Sequence, residues 1–305
     1  MPNTYAKPQK TYKNTIRKFN INNVVTGEFN SLPFMKNELN SSNKQLTIIE
    51  IPLFERDSYP VLLLNNWSDI NRDNSNLIDY LNKQQADIIS LVVNLKEFNQ
   101  SVLDKTVELI TYISRNLSKP LMINATDKRE INEIIIPILA NALEKKCIFG
   151  IIDEDNYKNI IPSLTNKNHY WIARTPIDIN LAKQLNILLT DAGIDPDNII
   201  IDPNIGALGY GLDYAYSVIE RIRIAALDGD NMLNMPILAF AGEEAWKTKE
   251  AKAKFISNEA GEHYQRAIMW ETVTASSMIT AGADMVALYH SDSVEKIAEF
   301  IERGQ

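Results

Sequence analysis

Apolar residues recur along this chain with two alternating periods. From residue 46 onward, runs rich in isoleucine, leucine and valine at 46–53, 87–95, 120–125, 147–153, 169–175, 198–203, 235–242 and 284–290 read as buried strands. Between them, helix-spaced apolar positions occupy 73–84, 100–117, 128–144, 155–164, 177–192, 211–229, 264–281 and 292–303. After residue 211, for example, Leu212, Ala215, Ile219, Ile222 and Ala226 fall on one helical face. Alternating strands and helices demand a parallel sheet with right-handed crossovers. Eight strands is the closure number of a TIM (β/α)8 barrel. The predicted fold is therefore α/β, a TIM barrel over 45–305 behind an N-terminal arm and hairpin extension over 1–44.

Local punctuation supports these boundaries. Gly193 and Gly282 stand where helices must stop, and Pro120 breaks the helix that precedes the third strand. Pro137 lies inside the predicted helix 128–144, so a kink or a late start is expected there. The stretch 24–29 reads as a hairpin able to plug the lower mouth of the barrel. The polar connection 54–72 and the insertion 249–263 depart from the repeat, the latter at the upper rim, where TIM barrels carry function.

Charge and composition remove whole classes of function. The 305 residues carry a net charge of -8. That argues against a nucleic-acid partner, which needs clustered basic residues. Lys7, Lys10, Lys13, Arg17 and Lys18 form the one basic stretch, an arm expected to fray or to dock on a partner. It lacks the apolar core of a secretory signal, and no apolar run approaches the length that spans a bilayer, so no membrane is expected and the chain is placed in the cytoplasm. Cys147 is the single cysteine, whereas an iron–sulfur cluster or a structural zinc needs several thiolates. At the head of an apolar run it reads as a buried thiol. His169, His263 and His290 are far apart and show no metal-binding spacing.

The predicted C-terminal strand ends carry Asn94, Asn124, Asp153, Arg174, Asp202 with Asn204, Gly242 with Glu243, and His290. Such a polar, amide-rich ring suits a flat heterocycle with amide edges. The bland alternative is that Asn and Asp there cap the helices that follow. The strand 199–201 runs into a loop with Gly206, Gly209 and Gly211 that opens directly on a helix, a weak phosphate signal without a P-loop lysine. Tyr210 and Trp246, on loops, are candidate contact residues, and Trp270 reads as core. No Schiff-base lysine, no nucleophile beside a histidine and no metal-spaced carboxylates occur at the rim, and Asp153, Glu154 and Asp155 read first as a helix start.

With those residues in hand, four segments resemble a known family in order and spacing: IARTPIDINLAKQLNILL (172–189), IDPNIGALGYGLDYAYSVIERIRIAALDGDNML (201–233), MPILAFAGEEAWKTKEA (235–251) and MWETVTASSMITAGADMVALYH (269–290). The chain is similar to the small subunit of the corrinoid iron–sulfur protein, the delta-subunit family of acetyl-CoA decarbonylase/synthase. The resemblance implies a TIM barrel paired as a heterodimer with a large subunit that carries a corrinoid (cobamide) and an iron–sulfur cluster. It further implies methyl transfer from a methyl-pterin by a separate methyl-pterin:corrinoid methyltransferase, and onward to acetyl-CoA synthase. On this reading the barrel has no catalytic residue of its own. Asn94, Asn124, Arg174, Asp202, Asn204, Gly206, Gly209, Tyr210, Gly242 and Trp246 are the candidates to shelter the corrinoid at the subunit interface.

Two other readings stay open on the residues alone. An autonomous pterin-binding methyltransferase would use Asn94, Asn124, Asp153, Asp202 and Asn204 to hold the pterin. A binding protein for a phosphorylated metabolite would use the loop 206–211.

Overall fold

The structure, a computed structural model, describes residues 10–34, 43–68, 70, 74–95, 98–124, 128–165 and 168–304. The barrel strands are β3 (Leu46–Pro52), β4 (Ile88–Val92), β5 (Leu121–Asn124), β6 (Ile148–Ile152), β7 (Tyr170–Arg174), β8 (Ile199–Asp202), β9 (Leu238–Ala239) and β10 (Met285–Leu288). They form one parallel eight-stranded sheet in the order β8-β7-β6-β5-β4-β3-β10-β9. A parallel bridge between Ile201 and Ile237 brings the two edges together and closes the barrel. Each predicted run holds its strand. Run 235–242 keeps only a two-residue strand, because the chain turns into a helix at Ala241.

Side chains alternate with the pleat. Leu46, Ile48, Ile88, Met122, Ile148, Ile172, Ile200, Leu238, Phe240, Met285 and Ala287 fill the barrel interior. The alternate positions, such as Ile49, Ile51, Leu91, Ile123, Ile199 and Val286, face the helices. Those helices are α1 (Val61–Asn66), α2 (Asn74–Lys83), α3 (Gln100–Asn116), α4 (Arg129–Ala142), α5 (Tyr157–Ile160), α6 (Ile179–Asp191), α7 (Leu212–Leu227), α8 (Ala241–Ala245), α9 (Lys249–Lys252), α10 (His263–Ala281) and α11 (Ser291–Gly304). Asn99 and Asp178 start α3 and α6 by accepting backbone N–H bonds from the first turn.

Four expectations need correction. The polar connection 54–72 contains α1, whose Leu63 is fully buried and pins it to the core. The helix predicted over 155–164 is a single turn followed by a 3-10 turn. Pro137 neither delays nor breaks α4, which starts at Arg129. The lost backbone bond is offset by burial of Ile135, Ile136, Leu139 and Ala140. The hairpin starts earlier than predicted: β1 (Phe19–Ile21) pairs antiparallel with β2 (Val24–Thr26). Its turn is Asn22-Asn23, with φ of 50° and 65°, the left-handed pair that a tight hairpin needs.

The hairpin plugs the N-terminal mouth. Phe19 and Ile21 join the interior cluster, and Tyr170 lies beneath Phe19 with ring centroids 4.5 Å apart. The basic arm does not fray over residues 10–18, and Lys7 lies outside the described residues. Lys13 donates its N–H to the Leu227 carbonyl, and Arg17 binds Asn234 and Asp197. Those acceptors cluster on the barrel's own base, so local charge complementarity docks the arm there.

Candidate functional site

The period-two alternation that fills the barrel with apolar side chains turns polar, on several strands, at the inward position that follows the apolar layer towards the C-terminal end. Glu50 follows Leu46 and Ile48, Ser90 follows Ile88, Asn124 follows Met122, Arg174 follows Ile172, and Asp202 follows Ile200. This upper tier lies at the C-terminal mouth. Arg174 is its hub: its guanidinium is ion-paired to Asp202, lies 3.2 Å from Glu243 and sits 4.6 Å over the ring of Phe240. Burial opposes the charge of Arg174, but the two carboxylates outweigh it and keep the guanidinium firmly protonated. Glu243 behaves likewise: Arg174 and Lys247 overcome the effect of burial and hold its carboxyl below its usual value.

Glu50 is the outlier. It is 1% exposed, and its Oε1 accepts a 2.8 Å hydrogen bond from Asn124. Burial, reinforced by the charge of Glu243, pushes its carboxyl up to about 8. Its Oε2 has no hydrogen-bond partner among the described residues. Neither has the hydroxyl of Ser90, the residue paired with Glu50 across β3 and β4. Beside them, Tyr59, Trp67 and Tyr289 pack edge to face, with centroids 5.1 to 6.0 Å apart.

The sequence-predicted residues separate into distinct jobs. Asn124, Arg174 and Asp202 belong to the upper tier. Asn94 braces the loop after β3, accepting from Phe54 N–H and donating to the Glu55 carbonyl. Asn204 has φ of 50° and bonds back to Asp202 through its N–H. It lines a groove of about 370 Å³ with Arg174, Asp153, Glu154, Asp155 and the apolar residues Leu181, Leu185 and Leu188 of α6. Asp153 accepts the N–H groups of Asp155 and Asn156, the helix-start role expected of that acid cluster.

Gly206 is required sterically, since a Cβ there would lie 2.3 Å from the Tyr210 carbonyl oxygen. Gly209 and Gly211 supply left-handed turns on the way into α7. Gly242 sits inside α8, where a Cβ would lie 2.7 Å from Tyr289 N and 2.8 Å from Glu271 Oε1. Tyr210 is exposed, as a loop contact residue should be. Trp246 is not: it is 2% exposed and stacks on His290, because α8 replaces the loop expected there. Trp270, expected in the core, is half-buried and donates its Nε1–H to the Leu208 carbonyl.

Sequence reasoning missed Glu50, Ser90 and Tyr289. The signal for Glu50 was present, an acid at an inward position of the otherwise apolar strand LTIIEIP. Glu271 was also missed. Fully buried on α10, it accepts from Tyr289 N at 2.5 Å and Ser293 Oγ at 2.7 Å and so fixes the chain after β10.

Residues 60–299 match the family model of the CO dehydrogenase/acetyl-CoA synthase delta subunit. The chain belongs to that family. Among delta-subunit relatives, acetyl-CoA decarbonylase/synthase complex subunit delta of Methanopyrus kandleri is 28% identical over 216 residues, 70% of this chain and 53% of the relative. Subunit delta 2 of Methanosarcina acetivorans is 32% identical over 176 residues, 54% of this chain and 40% of the relative. The chain thus spans about half the length of the curated relatives it matches. Among solved structures, dihydropteroate synthase of Xanthomonas albilineans superposes with a TM-score of 0.58 at 10% identity, covering 95% of this chain and 98% of that one. The enzyme from Coxiella burnetii gives 0.53 at 14% identity, covering 90% of this chain and 97% of that one. At such identities the likeness establishes a shared TIM-barrel fold and nothing more.

Proposed function

We propose that this delta-subunit family member is the barrel subunit of a corrinoid-dependent methyl carrier in the anaerobic acetyl-CoA pathway. On this reading it acts in the cytoplasm and pairs with a large subunit that holds the corrinoid and the iron–sulfur cluster. A separate methyltransferase delivers the methyl group from a methyl-pterin, and acetyl-CoA synthase receives it.

The observation that carries the reading is the self-neutralised upper tier. Arg174 is committed to Asp202 and Glu243, and Glu50 to Asn124, so these groups form a walled polar floor instead of a nucleophile–base pair. A corrin is a flat macrocycle fringed with carboxamides, and a rim offering Asn204, Glu243 and aromatic side chains fits its edge. The corrinoid, when bound, supplies a cobalt centre able to accept and release a methyl group. This chain's residues orient the cofactor and exclude water. The iron–sulfur cluster does not fit here: Cys147 is 1% exposed, and burial raises its thiol to about 11. This supports the reading in which the cluster is carried by the large subunit.

A second reading, autonomous pterin binding, is favoured by one feature, the Glu50 Oε2 and Ser90 Oγ side by side in the mouth with no hydrogen-bond partner among the described residues. Size-exclusion chromatography with a corrinoid absorbance trace separates the two. The carrier reading expects colour only in a complex co-eluting with the large subunit. A colourless chain that elutes alone after co-expression, yet binds methyl-tetrahydrofolate in calorimetry, overturns it in favour of the second.

A further inference from the structure

Between Ala267 and Ala281, α10 carries one charged side chain, Glu271, and that one is turned inward and fully buried. Its outward side presents Met269, Trp270, Thr272, Val273, Ser276 and Thr280, none of them charged. The neighbouring α11 shows what solvation ordinarily produces, with Glu295, Lys296, Glu299, Glu302 and Arg303 on its sequence. Charge depletion with aromatic residues and methionine marks the centre of a protein interface, not a solvated face.

The glycine loop extends this surface. It is seated on α10 by two hydrogen bonds, Trp270 Nε1 to the Leu208 carbonyl at 3.0 Å and Leu208 N to Thr274 Oγ1 at 3.2 Å. Met269 is 57% exposed, and Tyr210 and Tyr214, at the loop and the first turn of α7, are 54% and 69% exposed. Phe255, beyond α9, is 71% exposed. The Tyr210 hydroxyl lies beside Glu250, and Arg266 of α10 donates to the Glu250 and Ala253 carbonyls. The loop, α9 and α10 are therefore one continuous patch. Along its α9 edge stand Lys249, Lys252 and Lys254, exposed and in no ion pair among the described residues.

We propose that this face docks a protein partner whose surface is apolar and uncharged at its centre and carries carboxylates along one edge. Three unpaired lysines beside an uncharged aromatic centre call for that complement. A second copy fits less well, because each copy brings a net charge of -8. Resting on the carrier reading, the partner is the corrinoid-bearing large subunit, held at the rim just outside the mouth.

The test is calorimetry of the full chain against that large subunit at two ionic strengths. The expected result is that Tyr214→Asp combined with Met269→Asp weakens binding at least tenfold with thermal stability unchanged, as truncated interface anchors do. The triple variant Lys249→Glu, Lys252→Glu, Lys254→Glu should also weaken it and flatten its salt dependence; being wholly on the surface, this variant keeps the test open should the first fail to fold. Wild-type affinity in both variants overturns the surface and leaves the carrier reading standing. Loss in the first variant alone rejects the acidic edge. No binding by the wild-type chain overturns the carrier reading and the docking face together.

Discussion

Glu50 concentrates the residue-scale physics of the mouth. Its carboxyl titrates near 8, against an ordinary value of 4.5, chiefly because it is buried. The sign follows from linkage. The stability tied to its neutral form is fully present below pH 4.5 and is lost as pH rises towards 8, because the unfolded chain ionises first. Over that interval the effect is up to about 4 kcal/mol. Glu50→Gln keeps an oxygen to accept from Asn124 and removes the titration. The variant should match the wild type in denaturant melts at pH 4.5 and exceed it by a few kcal/mol at pH 8. Equal pH slopes in the two proteins would refute a neutral Glu50. The same residue shows the limit of reading polar positions singly. Periodicity marks it as inward-facing, but its partner Asn124 lies 74 positions away in the chain.

At the scale of elements, the hairpin β1–β2 is the clearest case of local chemistry serving a remote purpose. Asn22-Asn23 encodes the turn, and Phe19 and Ile21 encode the apolar face, yet only the barrel supplies the socket. Phe19 is fully buried in the interior cluster. Phe19→Ala should therefore cost about 3–5 kcal/mol by opening a void against the Tyr170 ring. A loss of unfolding free energy under about 1 kcal/mol in denaturant melts would show that the plug is dispensable. Helices with strong caps and periodic faces, such as α3 and α6, match their predicted spans to within two residues. Where an element is a single turn, as in α1 and α8, sequence pattern fails, because so few residues carry no periodic signal. That failure moved Trp246 from an expected contact position into the core.

For the whole molecule, the weak point is the seam where the barrel closes. The strand β9 has two residues, and it joins β8 through a single bridge and the bond from Ile201 N to the Pro236 carbonyl. A buried ion pair reinforces the other side. Asp284 Oδ2 lies 2.6 Å from Arg223 and accepts from Ile237 N at 2.7 Å, tying β9 to the start of β10. Asp284→Ala would leave Arg223 charged and buried, at a cost of about 3–5 kcal/mol. Hydrogen exchange should then accelerate at 199–202 and 237–239 before it does elsewhere in the barrel. Uniform acceleration across all strands would reject a local role for this pair.

The chain's own pattern determined the eight parallel strands, most of the helices, a plug at one mouth and a polar ring at the other. Each of these is periodic or local, so a few neighbouring residues suffice to specify it. The family motifs within 172–290 were equally legible. Tertiary structure alone decided which polar residues meet. Arg174, Asp202 and Glu243 come from β7, β8 and α8, and Glu50 from β3, and closure of the sheet turns them toward one axis. It also decided that Trp246 is buried while Tyr214 and Met269 are not. Burial and pairing depend on distance in space, and strand and helix periods fix only the direction in which a side chain points.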